Sequence, residues 1–238
     1  MILLLLGCSG EWGLDLAQPE LVVQTDDGCT ATFERAQLSL GGVGTPEQPL
    51  SEVSGQWDLA EGAPGPVLAA GADRGRYESI TLSLMRQGLP GEGDAPELAE
   101  LGASVLVAGT LDCDQQVSFE LDFYPDTRAD CALDAQLEVG ADPVWVPVEA
   151  HLSRLFSSSL LPDEGELLGQ PWVDSDSDDD GALSLEELES QDLAPLGYTV
   201  GSYEGSLDLL SHIGRASGQI LSVPQASCTH RCLVDDAC

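Results

Sequence analysis

The chain has 238 residues, of which 42 are Asp or Glu and 8 are Lys or Arg, for a formal net charge of −34 at pH 7. All of the basic residues are Arg, and so sparse a cationic complement excludes a nucleic-acid binder, because phosphate contacts come from clustered Lys and Arg. A hydrophobic fraction of 42% with 26 Gly is nonetheless that of a folded chain rather than a disordered acidic one.

Residues 1–10 form an apolar run, far short of the roughly 20 residues needed to span a bilayer. Leu5-Leu6-Gly7-Cys8 resembles the lipobox of bacterial lipoproteins, in which a small residue precedes the Cys that becomes lipidated. The sequence departs from the full signal in lacking a basic start and in having a short apolar core. The resemblance implies a signal remnant at 1–7, lipidation of Cys8, a membrane-anchored place in the cell envelope, and a linker over 8–27.

Six further Cys follow, at Cys29, Cys113, Cys131, Cys228, Cys232 and Cys238. None forms a Cys-x-x-Cys pair, which argues against a thioredoxin-like redox site, and a dispersed even set fits structural disulfides in an oxidising compartment. Six Cys allow 15 pairings, so the connectivity is open. The tail Cys228-Thr-His230-Arg-Cys232, with Cys238, also offers four donors of the kind that bind zinc.

From 28 to 152 the pattern is of strands cut by Gly, Pro and Asp, which predicts an antiparallel β-sandwich. Strands are expected over 30–40, ended by Gly41-Gly42, and over 76–84, 104–108 and 116–123. The last alternates cleanly through Val117, Phe119, Leu121 and Phe123. A further strand is expected over 144–152, with Pro147 marking an edge or a bulge. Residues 41–66 and 87–98 read as loops, and a disulfide at Cys113 or Cys131 can tie sheet edges around 116–123. Gly75-Arg76-Tyr77-Glu78-Ser79-Ile80 resembles a Gly-x-Tyr-x-x-Ile strand entry of uncharacterised secreted bacterial β-sandwich domains, a resemblance that implies fold and no activity.

After 152 the texture changes to a small α segment over 153–215 and a Cys-containing tail over 216–238. Gly165, Gly169 and Pro171 prevent one long helix, and a helix is expected over 206–214 from Leu207, Leu210 and the Gly214 stop.

Within that segment, residues 176–187 read Asp-Ser-Asp-Asp-Asp-Gly-Ala-Leu-Ser-Leu-Glu-Glu. They resemble the twelve-residue EF-hand calcium loop. The resemblance implies Ca2+ held by the side chains of Asp176, Asp178 and Asp180, the carbonyl of Ala182, a water on Ser184 and a bidentate Glu187. Gly181 falls where the loop must turn sharply, and Leu183 is the apolar residue that pins the loop to a core. A register starting at Asp174 fails, because it puts Leu185 where an oxygen must close the cage. Ser184 and Glu187 are also spaced as a capping box for a helix beginning at Leu185. The incoming segment, by contrast, is a poor helix, and there is no second loop to pair with.

No Gly-x-Ser-x-Gly elbow, phosphate loop or His-Glu-x-x-His occurs, so no catalytic residues are assigned. The expectation is therefore a calcium-binding cell-envelope lipoprotein with structural calcium. Its sandwich serves as an interaction module for an envelope protein or a glycan. Two alternatives stand beside it: a periplasmic zinc or copper protein using His151, His230 and the tail Cys, and a carbohydrate-binding sandwich with an aromatic platform from Trp57, Trp145 or Trp172.

Overall fold

A computed structural model describes residues 9–45, 55–62, 65–86, 92–93, 95, 97–161, 164–196, 198 and 208–232. Cys8, Leu207 and Cys238 lie outside the described residues. The chain is mainly β, with a sandwich-like architecture and a few short helices.

In chain order the first strands are β1 (Ser9–Leu16), β2 (Val22–Gln24), β3 (Thr30–Gly44), β4 (Gly55–Asp58), β5 (Gly65–Asp73), β6 (Gly75–Leu84) and β7 (Glu92–Gly93). After the short helix α1 (Glu97–Leu101) come β8 (Val105–Asp112), β9 (Gln116–Phe123), β10 (Thr127–Val139) and β11 (Val144–Ala150). A 3-10 turn over Leu152–Phe156 leads to α2 (Gln170–Val173), β12 (Ala182–Leu183), α3 (Leu185–Ser190), a second 3-10 turn over Ala194–Leu196, α4 (Leu209–Ser217), β13 (Leu221–Ser222) and β14 (Ala226–Cys232).

Two sheets result. The smaller runs β13-β11-β1-β5, and the larger runs β12-β9-β8-β3-β6-β10-β14, with β2 and β4 on β3 and β7 on β4. Most ladders are antiparallel, as expected. The exceptions are β1 with β11, β4 with β7, and β12 with β9, which run parallel.

The strand most legible in sequence, β9, keeps its alternation in space: Val117, Phe119, Leu121 and Phe123 are buried while Gln116, Ser118 and Glu120 face out, the period-two consequence of a pleated strand. Pro147 also lies where expected, since β13 reaches only Glu149 and Ala150, leaving β11 an edge at the residue that has no amide hydrogen to give.

Gly41-Gly42 do not end their strand. β3 continues to Gly44, and the glycines bend it: β3 pairs with β8 from Thr30 to Leu38, then with β6 from Leu40 to Gly44, with a bulge between Leu40 and Gly42. Gly42 has φ 149°, and a Cβ on Gly41 would come within 2.5 Å of the Met85 side chain. Only glycine supports that close approach.

Several strands lie where none was expected: β1 and β2 in the stretch read as a linker, β4 and β7 in the stretches 41–66 and 87–98 read as loops, β5, β10, the short β12, and β13 and β14 in the tail. β14 pairs along β10 from Leu133 to Thr127. β5 is built from Gly, Pro, Val, Leu and Ala without alternation. β10 carries Asp, Arg, Gln and Glu among Ala. Neither composition announces a strand, and both are recruited by the partners they pair with.

Two disulfides close the framework, Cys29–Cys113 and Cys131–Cys228. The first links the β2–β3 turn to the end of β8, and the second bridges directly opposed residues of β10 and β14. No helix among the described residues is long and apolar enough to cross a membrane. That finding and the disulfides are compatible with a secreted or envelope location.

One apolar cluster runs from Trp12 in β1 to Val223 beyond β13. At its centre Phe33, Phe119, Phe156 and Trp172 meet: Trp172 lies 4.6 Å from Phe156 and 5.5 Å edge-on from Phe119, and Phe33 meets both phenylalanines edge-on. Trp172 is fully buried, so the segment after 152 shares the core of the sandwich. Trp172→Ala is expected to cost about 3–5 kcal/mol, measured as a lowered midpoint in chemical denaturation. An unchanged midpoint would mean that this contact does not hold the two parts together.

Candidate metal centre

The chain reaches the acidic loop through a segment fastened at several points. Asp26 and Leu167 bond reciprocally, the Asp26 amide to the Leu167 carbonyl at 2.7 Å and the Leu167 amide to the Asp26 carboxylate at 2.7 Å. The neighbouring Asp27 carboxylate accepts the amides of Gly169 at 2.9 Å and Gln170 at 2.8 Å, capping the single turn of α2. Burial pushes the Asp27 carboxyl up, but bonds from the Thr25 hydroxyl and the Gln170 and Gly169 amides outweigh it and hold it below the usual carboxylate range. Gly169 itself presses on the Cys29–Cys113 disulfide, where a Cβ would lie 2.7 Å from the Cys29 Cβ. Thus Gly169 and Pro171, which spoil an entry helix, are used to seat one turn against a disulfide and to drive Trp172 into the core.

Beyond that turn Asp174 accepts from the Gln170 side-chain amide at 2.8 Å, which leaves Asp176 as the first acid of the loop. Asp176 is only 8% exposed and takes two loop amides, Asp180 at 3.2 Å and Gly181 at 3.0 Å. Asp178 also accepts from the Asp180 amide at 3.2 Å, and Asp180 accepts from the Ala182 amide at 2.8 Å. The backbone turns through left-handed conformations at Asp179 (φ 57°) and Gly181 (φ 79°). Gly181 therefore stands at the sharp turn expected of it, and Asp179 shares the work, an Asp being among the few non-Gly residues that tolerate that region.

The far side of the loop is joined to the larger sheet. Ala182 and Leu183 form β12, parallel to Ser118 and Phe119 of β9. The Ser118 amide donates to the Gly181 carbonyl at 2.9 Å, and its hydroxyl reaches the same oxygen at 3.1 Å. Leu183 is buried as expected. The loop is thus joined to the sandwich edge through β9.

The capping box also forms: the Ser184 hydroxyl accepts the Glu187 amide while Glu187 takes the Ser184 amide. The Glu187 carboxylate is a clasp across the loop. One oxygen accepts from the Ser177 amide at 2.9 Å and its hydroxyl at 3.3 Å, and the other from the Ser184 amide at 3.0 Å and hydroxyl at 2.8 Å. These bonds, those from Ser184 first, hold the Glu187 carboxyl at about 2.

Of the expected ligands, Asp176, Asp178 and Glu187 are brought together, with one oxygen from each lying within 4.8 Å of the others. Asp180 is turned to the Ala182 amide, and Ser184 serves the helix cap. This triad can hold a metal ion, and an oxygen-only donor set is the chemistry of hard cations.

The other expected donors are dispersed. Cys228 is bonded to Cys131 and offers no thiolate, which removes it from a tail zinc set; the backbone of Cys232 lies opposite Thr127 at the end of β14. His212, which is not among those donors, is buried in α4, with Nε2 2.7 Å from the Ser157 carbonyl and its ring edge-on to Tyr198; burial depresses its basicity. His151 and His230 line a separate cleft. Trp57 and Trp172 are core residues, and Trp145 is half-buried, so these side chains do not build an exposed aromatic platform.

Comparison with protein families, with curated proteins and with solved structures finds no match.

The Glu187 clasp predicts an acid titration. Its folded value lies below the ordinary 4.5, so its contribution is complete above that value and is lost as pH falls through about 2. In the metal-free protein, carboxyl carbon NMR should place the Glu187 midpoint near the bottom of that window; a midpoint near 4.5 would mean the clasp is not formed.

Proposed function

We propose that residues 176–187 bind calcium and that the ion's role is structural. The proposed sphere uses Asp176, Asp178 and Asp180 side chains, the Ala182 carbonyl, a water on Ser184 and both oxygens of Glu187. The observation that carries the reading is the convergence of Asp176, Asp178 and Glu187 within 4.8 Å, on a loop whose Gly181 turns at positive φ. Calcium accepts six to eight oxygens in flexible geometry, which suits a loop whose acids are at present satisfied by amides and hydroxyls that an ion can relieve. Magnesium demands near-ideal octahedral geometry and sheds water reluctantly, so it is the weaker fit.

Carboxylates held this close repel one another. An ion that neutralises them draws the loop together and with it the ends of α2, β12 and α3. At free calcium about 100 times the dissociation constant, such linkage contributes about 2.7 kcal/mol. We place this site in a secreted or cell-envelope protein anchored through a lipid on Cys8, where millimolar calcium fills even a weak site. The sandwich then presents an interaction surface to an envelope partner.

Calcium is expected to raise the melting temperature by about 5–10 °C in a chain of this length, with magnesium giving a smaller rise. Asp178→Ala removes one exposed carboxylate and should abolish most of the rise while leaving the metal-free melting temperature nearly unchanged. A flat calorimetric titration together with unchanged melting would sink the calcium reading.

A further inference from the structure

The two disulfides stand in different relation to the acidic loop. Cys131–Cys228 ties β10 to β14, at the opposite end of the larger sheet from β12. Cys29–Cys113 joins the turn after β2 to the turn after β8, and each of these turns holds one part of the loop. Cys29 is buried in the core, and Cys113 is partly buried against it.

On the Cys29 side, the Thr25 hydroxyl accepts the Cys29 amide at 2.9 Å and the Thr25 amide donates to the Cys29 carbonyl at 3.0 Å, with Gly28 turning at φ 92° between them. This turn presents the Asp26 and Asp27 carboxylates to the amides of Leu167, Gly169 and Gln170. Gly169 sits so close that a Cβ there would lie 3.0 Å from the Cys29 sulfur. The entry to the loop is thus held by residues fastened to Cys29. On the Cys113 side, the Cys113 amide donates to the Gln115 carbonyl at 3.0 Å, in the hairpin that brings Gln116 opposite Asp112. Just beyond it, Ser118 donates its amide and hydroxyl to the Gly181 carbonyl, and Ser118 and Phe119 pair with Ala182 and Leu183. The sharp turn of the loop is thus held by residues that follow Cys113.

The disulfide therefore closes a circuit that runs from Cys29 through the Asp27 cap, α2, the loop from Asp176 to Gly181, and Ser118 back to Cys113. Reduction opens that circuit at one point. Thr30 remains opposite Asp112 in the β3–β8 ladder, so the strands stay paired and only the turns beyond them gain freedom. A loop with looser ends has more conformations to give up when an ion draws its acids together, and it binds the ion more weakly by that difference. Such coupling is reciprocal: whatever factor the disulfide adds to cation affinity, the cation adds to the stability of the disulfide.

We propose that the Cys29–Cys113 disulfide regulates the calcium affinity of the acidic loop, which binds tightly in the oxidised chain and weakly in the reduced one. This regulation rests on the calcium reading of residues 176–187. The reductant it requires is a dithiol. One thiolate of the dithiol attacks the sulfur of Cys113, the less buried residue of the pair; the Cys29–Cys113 bond breaks, and the Cys29 sulfur leaves with the electron pair and takes a proton. The second thiolate of the dithiol then resolves the mixed disulfide. Cys113 is freed as a thiol, the dithiol ends as a cyclic disulfide, and two electrons and two protons have passed to the protein.

Calcium is titrated calorimetrically into the oxidised wild-type chain, into a chain carrying Cys29→Ser with Cys113→Ser, and into one carrying Cys131→Ser with Cys228→Ser. The first pair of substitutions should weaken binding about tenfold, within the usual span of coupling between sites, and the second pair should leave the affinity at the wild-type value. In parallel, the wild-type chain is equilibrated in dithiothreitol buffers of graded potential, with calcium or with a chelator, then quenched in acid and its thiols mapped by mass spectrometry. Calcium should make the Cys29–Cys113 potential more negative by about 30 mV, the equivalent of tenfold for a two-electron couple, and leave Cys131–Cys228 unmoved. Absence of calcium binding by the wild-type chain overturns the calcium reading and this regulation with it. Equal affinity in wild type and in Cys29→Ser with Cys113→Ser overturns the regulation alone, as does an equal loss in both substituted chains. Should a substituted chain fail to fold, the wild-type redox titration decides: no calcium shift, or equal shifts at both disulfides, overturns the proposal.

Discussion

Much of this molecule depends on one aromatic contact, the seating of Trp172 between Phe156 and Phe119. Phe119 belongs to β9, Phe156 to the turn that leaves the sandwich, and Trp172 to the single helical turn that opens the acidic loop. A large apolar side chain buried this completely is worth several kcal/mol, more than any one hydrogen bond nearby contributes. It therefore fixes the loop entrance relative to the sheet, and the loop's own bonds act within limits already set.

The rest of the loop's support follows from that fixed point. A helix-loop-helix calcium site holds its acids in place with two flanking helices. Here the entry is one turn capped by Asp27 and pressed against a disulfide, the middle is hydrogen-bonded to β9, and only the exit is a helix with its own cap. Rigid sandwich elements thus hold the loop on the sides where no long helix flanks it. The arrangement suits a site that stays put better than one that swings open, because none of its flanking elements is free to reorient without breaking core contacts.

What the sequence disclosed was local physics. The alternation in β9, the capping box at Ser184 and Glu187, the turn at Gly181 and the edge role of Pro147 each rest on a few adjacent residues, and each is present in the fold. What it hid was partnership at long range. The stretch that ends at Asp27 reads as a linker, and nothing in it announces that Asp27 caps a helix some 140 residues away. β10 is a strand because β6 and β14 flank it, and its own composition of Ala and charged residues argues for nothing in particular. Gly41-Gly42 read as a stop because glycine interrupts a strand as readily as it bends one; which occurs is decided by whether β6 waits on the other side. The cleft shared by His151 and His230 was likewise out of reach, since the end of β11 and the strand β14 lie far apart in the chain.

The pairing of β12 with β9 also has a consequence for the edge of the larger sheet. β9 is the outermost long strand of the larger sheet, and β12 lies along its free side. A strand edge with open amides and carbonyls is a template on which another chain can add. By lying across Ser118 and Phe119, the acidic loop shields part of that edge and surrounds it with negative charge. Whatever keeps the loop in place also keeps that part of the β9 edge covered.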